Sequence, residues 1–76
     1  MSTCNIDHSK GDVIKKLQSQ EGFLPNELYN NAVRFLETER TQLTLNELFH
    51  LLKKYDLASE EEQQKRNLAI EELFNA

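Results

Sequence analysis

Glycine and proline are confined to the first third of the chain, and their absence from the rest is the strongest restriction on the fold. The glycines are Gly11 and Gly22, the one proline is Pro25, and neither type occurs in residues 26–76. Tight β-hairpins depend on glycine-bearing turns, and no strict alternation of apolar and polar residues marks a strand. The pattern therefore predicts an all-α protein, a small bundle of three to four short helices.

The spacing of apolar residues predicts where the helices lie, namely near residues 10–20, 26–39, 45–56 and 59–75. Ser9 or Asp12 is suited to cap the first helix, and Pro25 to occupy the first turn of the second. Thr44 and Ser59 each stand three residues before a glutamate, which is the capping-box pattern. They predict the starts of the third and fourth helices.

These helices are expected to form one domain, residues 9–76, behind a loose polar tail, residues 1–8. A chain this short buries only about 60% of its unfolded surface, which suggests a stability on the order of 4–11 kcal/mol. The third helix has the most apolar face. We expect Leu48 and Leu52 in the core and His50 on the solvent side.

Charge and cysteine content exclude several classes of protein. Thirteen acidic and nine basic residues give a net charge of −4, which argues against nucleic acid or an anionic membrane as the main partner. The one cysteine, Cys4, cannot form an intrachain disulfide, which fits a reducing compartment. The first residues do not resemble a signal peptide, and no apolar run approaches the roughly 20 residues of a membrane span. We therefore expect a cytoplasmic protein without a membrane partner.

No group of residues predicts catalysis, a metal site or a cofactor site. Cys4 and His8 have a tolerable zinc-ligand spacing and His50 offers another ligand, but structural zinc sites bring four ligands in two close pairs. The glutamates at 60–62 lie in the first turn of a predicted helix, where the helix dipole accounts for them. Two isolated glycines cannot form a phosphate-binding loop. We predict that the chain is not an enzyme and takes no metal, cofactor or small-molecule substrate.

Nucleic-acid binding is the alternative function, because the second and third helices with their short connector have the outline of a helix-turn-helix. The recognition helix would expose Lys53 and Lys54 as its only firm positive charges, whereas phosphate contacts need several. The surface over residues 44–55 distinguishes the alternatives. A continuous basic face supports nucleic-acid binding, and scattered charges support protein binding.

Protein binding is the function that the apolar pattern favours. The wide apolar faces of the second and third helices exceed what a thin four-helix core covers, and leftover apolar surface is typical of a protein contact. The first half of the last helix, residues 60–67, has no apolar residue and is predicted to project as a charged arm, forming a polar rim. The candidate binding residues are Phe23, Leu24, Leu43, Leu51, Glu62, Gln63 and Arg66. The expected partner is another protein, or a second copy in a homodimer, and the expected role is that of a regulator, inhibitor or assembly factor.

Overall fold

The computed structural model describes residues 8–75 and confirms the all-α prediction. The helices are α1 (Lys10–Ser19), α2 (Asn26–Phe35), α3 (Gln42–Leu52) and α4 (Glu60–Phe74), with a 3-10 turn over Tyr55–Leu57 before α4. No strand occurs within the described residues, and none of their helices is both long and apolar enough to cross a bilayer. The predicted tail, with Cys4, lies outside the described part except for His8.

Side-chain caps set where three of the helices begin. Ser9 accepts a hydrogen bond from the backbone N–H of Asp12 at 3.1 Å, so Ser9 is the cap of α1. Ser59 caps α4 in the same way, as predicted. The prediction for α3 is wrong, because the cap is Thr41, whose Oγ1 accepts the N–H of Thr44 at 3.2 Å. α3 therefore starts one turn earlier than predicted.

Two helix ends also differ from the predicted ones. α2 stops at Phe35 rather than at residue 39, because the chain from residue 37 to residue 42 is entirely polar and has no face to bury. α3 stops at Leu52 rather than at residue 56. Lys54 adopts a left-handed backbone conformation with φ 57° and ψ 26°, which an α-helix cannot continue through. Pro25 lies one position earlier than predicted, as the residue directly before α2.

The helices form a ring in the order α1, α3, α4, α2, in which each packs against two neighbours. α1 and α3 run in the same direction. His8, just before α1, bonds to Gln42 and Asn46 at the start of α3. Gln20, just after α1, bonds to Asp56 just after α3. α4 follows α3 through a short turn and runs back along it.

The core lies inside this ring, and every helix contributes to it. Its buried apolar residues are Val13, Leu17, Leu24, Leu28, Ala32, Phe35, Leu36, Leu45, Leu48, Leu52, Tyr55 and Ile70. Leu48 and Leu52 are almost completely buried and His50 is exposed, as predicted. α4 supplies one fully buried residue, Ile70, so most of its length contacts the bundle through partly exposed side chains.

Candidate functional site

Each pair of neighbouring helices leaves a groove on the surface, and the four grooves differ in chemistry. The α3–α4 groove has a volume of about 730 Å³ and combines apolar with charged residues. The α2–α4 cleft, about 640 Å³, is mainly polar and includes two arginines. The α1–α2 groove, about 370 Å³, is mainly apolar. The α1–α3 groove, about 270 Å³, is lined in part by the ring of His8 stacked on Phe49.

The α3–α4 groove is where the structure brings three of the predicted site residues together, namely Leu51, Glu62 and Arg66. Its full lining is Glu47, His50, Leu51, Glu62, Arg66, Ala69, Glu72 and Leu73. On each helix these positions are mostly three or four residues apart, the spacing of side chains on one helix face. The groove is therefore built from one face of α3 and one face of α4.

The floor of the α3–α4 groove is apolar and only half covered. Leu51, Ala69 and Leu73 each have intermediate exposure, between core and surface residues. Leu51 and Leu73 also pack against the buried core on their inner side. The floor is thus continuous with the core, and its outer side is left to solvent.

Arg66 closes the end of the groove nearest the 3-10 turn. Its Nε forms an ion pair with Glu62 at 3.1 Å, one turn earlier on α4. Its Nη1 donates to the backbone carbonyl of Lys53 at 2.8 Å, which satisfies a carbonyl at the end of α3. The guanidinium is therefore held in place and its charge is balanced within the groove.

Two further polar contacts fix the first half of α4 against the 3-10 turn that precedes it. Gln63 donates from Nε2 to the carbonyl of Tyr55 at 2.9 Å. The Tyr55 hydroxyl donates to Oδ1 of Asn67 at 2.7 Å, although the tyrosine is only 1% exposed. The prediction that this half of α4 projects as a charged arm is therefore wrong. It is docked by hydrogen bonds instead of by apolar packing.

The opposite end of the groove is acidic. Glu47 on α3 and Glu72 on α4 are both exposed, and neither forms an ion pair within residues 8–75. Lys53, directly after α3, contacts Arg66 on the antiparallel helix α4, and Glu47 and Glu72 each lie six residues from that contact. They therefore fall at a similar level, about 9 Å along the groove. The three carboxylates of the groove outnumber its one guanidinium by two.

The remaining predicted site residues lie elsewhere. Leu43 is 71% exposed and stands one turn before Glu47, beyond the lining of the groove. Phe23 is 55% exposed in the link between α1 and α2. Gln63 faces the 3-10 turn. Leu24 is only 6% exposed, so its assignment to a surface left uncovered by the core is wrong.

Five residues of the groove were not predicted as site residues, namely Glu47, His50, Ala69, Glu72 and Leu73. Of these, His50 was expected on the solvent side of the third helix, and Glu47 only as the glutamate of a capping box. The one available signal was the shared helical face that each of them forms with a predicted residue. Recognising the groove also required knowing that α3 and α4 are neighbours.

No group of three or more metal-ligating residues is gathered anywhere in residues 8–75. The rings of His8 and His50 come within 5.7 Å of each other between centroids. The His8 ring, however, lies flat on Phe49, with centroids 3.6 Å apart and an interplanar angle of 8°. Cys4, the other residue weighed as a ligand, lies outside the described residues. The described geometry therefore adds no support to a zinc site.

Comparison with known proteins finds no family model, curated protein or solved structure that matches this chain. A function for this chain therefore has to be inferred from the site itself. An apolar centre with a charged edge is the usual anatomy of a protein–protein interface. The α3–α4 groove has this anatomy, and it also brings together three of the predicted site residues.

Proposed function

We propose that this protein is a small interaction module that binds another protein along the α3–α4 groove and catalyses no reaction. The observation that carries the proposal is the half-covered floor of Leu51, Ala69 and Leu73 between charged edges. A partner that covers this floor would remove apolar surface from water. Each Å² removed stabilises the complex by about 25 cal/mol. By binding its partner, the module would act as a regulator, an inhibitor or an assembly factor.

The fixed geometry of the groove also supports this proposal. Arg66 ties α4 to the backbone carbonyl of Lys53 just after α3, and Gln63 ties it to the carbonyl of Tyr55 in the 3-10 turn. Binding to a groove that is already formed costs less ordering entropy than binding to a mobile surface. The polar docking of α4 thus favours a stable recognition surface.

A cytoplasmic setting belongs to the same proposal. The chain has one cysteine among 76 residues, and nothing suggests that its core depends on a disulfide. Small domains of oxidising compartments usually contain several disulfides because their cores are thin. A reducing compartment is therefore the setting that best fits this composition.

The helix-turn-helix alternative has weaker support. In that motif two helices pack against each other across a turn of about three to four residues, whereas α2 and α3 are not neighbours in the ring and residues 36–41 separate them. Over residues 44–55, Glu47 interrupts the positions that would face DNA, and Lys53 and Lys54 stand only at the end. These charges are scattered, which favours protein binding.

A pair of substitutions on α4 tests the proposal. Ala69→Arg places a long side chain on the floor of the groove, whereas Gln64→Arg adds the same charge at an exposed position that lines none of the four grooves. We expect a protein retained by the wild type from a lysate of the source cell to be lost with Ala69→Arg and kept with Gln64→Arg. Circular dichroism establishes that both variants are folded. Equal retention by wild type and Ala69→Arg would count against the groove.

A further inference from the structure

We infer that the α3–α4 groove receives a basic amphipathic helix of a different protein. This inference rests on the proposed function and adds the chemistry of the partner. It is carried by the shape of the groove, the position of its charges and the lack of a matching surface on the described part of this chain.

The shape of the groove suits a helix. It runs between two helices, and from Glu62 to Leu73 its α4 edge covers eleven residue steps, or about 16 Å. A partner helix of about three turns spans that length. Helices that dock into such grooves present aliphatic anchors at i, i+3 or i+4, and i+7. Ala69, in the middle of the floor, has a small side chain that leaves room for a close approach.

The charges of the groove select a basic partner. At the end near the 3-10 turn, Arg66 is already neutralised by Glu62. At the other end, Glu47 and Glu72 flank the floor from both helices and have no ion-pair partner within residues 8–75. Lysine or arginine residues beside the anchors of the partner would meet these two carboxylates. Such complementarity raises the association rate and excludes partners of the wrong charge.

A second copy of the chain does not offer this chemistry through its described residues. Two concave grooves cannot fill each other, and pairing them would bring acidic edges together. α1 is the most basic helix, with Lys10, Lys15 and Lys16, but its apolar residues Val13 and Leu17 are buried in the core, and the third, Ile14, is partly buried against it. No described helix presents lysines beside an exposed aliphatic row. The occupant is therefore a different protein.

The test uses three synthetic peptides of about 18 residues. The first has leucines at helical i, i+3, i+4 and i+7 spacing with lysines elsewhere, the second has glutamates in place of the lysines, and the third scrambles the first. Binding is measured by fluorescence anisotropy at about 0.15 M salt, where long-range charge effects are screened. We expect the lysine peptide to bind and the other two to bind at least about tenfold more weakly.

Two double variants with the same net charge locate the binding. Glu47→Lys with Glu72→Lys reverses the acidic end of the groove, and Glu27→Lys with Glu71→Lys makes the same charge change in the α2–α4 cleft. We expect the first pair to weaken binding of the lysine peptide by at least about tenfold and the second by less than about twofold. All four glutamates are exposed, so both variants should fold.

The outcomes separate this inference from the proposed function. Equal weakening by the two double variants or stronger binding of the glutamate peptide would overturn the basic-helix partner. So would a dimer, seen by light scattering, that Glu47→Lys with Glu72→Lys dissociates. No binding of any peptide, combined with a natural partner lost on Ala69→Arg, would also overturn it but leave the groove as a protein-binding site. If Ala69→Arg retains the same proteins from the lysate as the wild type, the proposed function itself is contradicted.

Discussion

Gln20 and Asp56 exchange two hydrogen bonds across 36 positions of the chain. The Gln20 Nε2 donates to Oδ1 of Asp56 at 3.1 Å, and its Oε1 accepts the Asp56 backbone N–H at 2.9 Å. Gln20 is the buried polar side chain of the described core, at 6% exposure. Because it follows α1 while Asp56 lies in the 3-10 turn after α3, the pair fixes the relative position of these parallel helices.

Replacing Gln20 with alanine should therefore destabilise the fold. The substitution removes both hydrogen bonds and leaves the backbone N–H of Asp56 without its acceptor, which costs about 1–3 kcal/mol. The control is Gln18→Ala, because Gln18 is exposed on α1 and should change stability by less than about 0.5 kcal/mol. Urea denaturation measures both values. Similar losses for Gln18 and Gln20 would show that the bridge to Asp56 does not stabilise the protein.

The left-handed conformation of Lys54 predicts a substitution that stabilises the protein, whereas the Gln20 substitution destabilises it. A non-glycine residue in this region costs about 1–2 kcal/mol, which exceeds the entropic cost of a glycine. Lys54→Gly should thus stabilise the protein by about 0.5–1 kcal/mol. Lys53→Gly is the matched control, since Lys53 has φ −62° and gains nothing from glycine. If thermal unfolding shows the same effect for both lysines, strain at Lys54 is not being relieved.

Leu48 tests the assignment of the core face of α3. It is completely buried, so Leu48→Ala should lower the free energy of unfolding by about 2–5 kcal/mol. His50, two residues later, is exposed, and His50→Ala should cost little. Chemical denaturation of both variants compares the two faces directly. A loss at His50 as large as that at Leu48 would contradict the packing described for α3.

Tyr55 tests whether hydrogen bonds hold the first half of α4. Tyr55→Phe keeps the buried ring but removes the hydroxyl that donates to Asn67, at a cost of about 0.5–1.5 kcal/mol. Tyr29→Phe is the control, because Tyr29 is only half-buried and its hydroxyl has no hydrogen bond within residues 8–75. Amide hydrogen exchange should accelerate in the first turns of α4 for the Tyr55 variant only. Unchanged exchange there would show that this contact does not anchor α4.

The capping-box pattern predicted one of two helix starts correctly. Ser59 has this pattern and is the cap of α4, although Asp56, which is also a residue type suited to cap a helix, stands three residues earlier. Thr41 and Thr44 both suit a cap, and only Thr44 has the glutamate that completes the capping-box pattern. In the structure Thr41 is the cap, so Leu43 belongs to the first turn of α3 rather than to a connector.

The candidate site could be predicted only in part, for a physical reason. The periodicity of apolar residues reveals only those helix faces that are buried through apolar side chains. The first half of α4 is docked through Gln63 and Arg66, and because these contacts are polar they leave no apolar pattern in the sequence. The projecting arm was predicted for that reason. The face of α3 with Leu51 could be recognised, but its pairing with Leu73 depends on the ring order of the helices, which the hydropathy of single segments does not encode.

Site-specific photo-crosslinking in the source cell tests most directly whether another protein occupies the α3–α4 groove. A photoreactive phenylalanine analogue replaces His50, which lines the groove from an exposed position, and in a second variant it replaces Asn30, an exposed residue of α2 that lines none of the four grooves. We expect a crosslink to a different protein from position 50 and none from position 30. No crosslink from position 50, or the same products from both positions, would contradict the account.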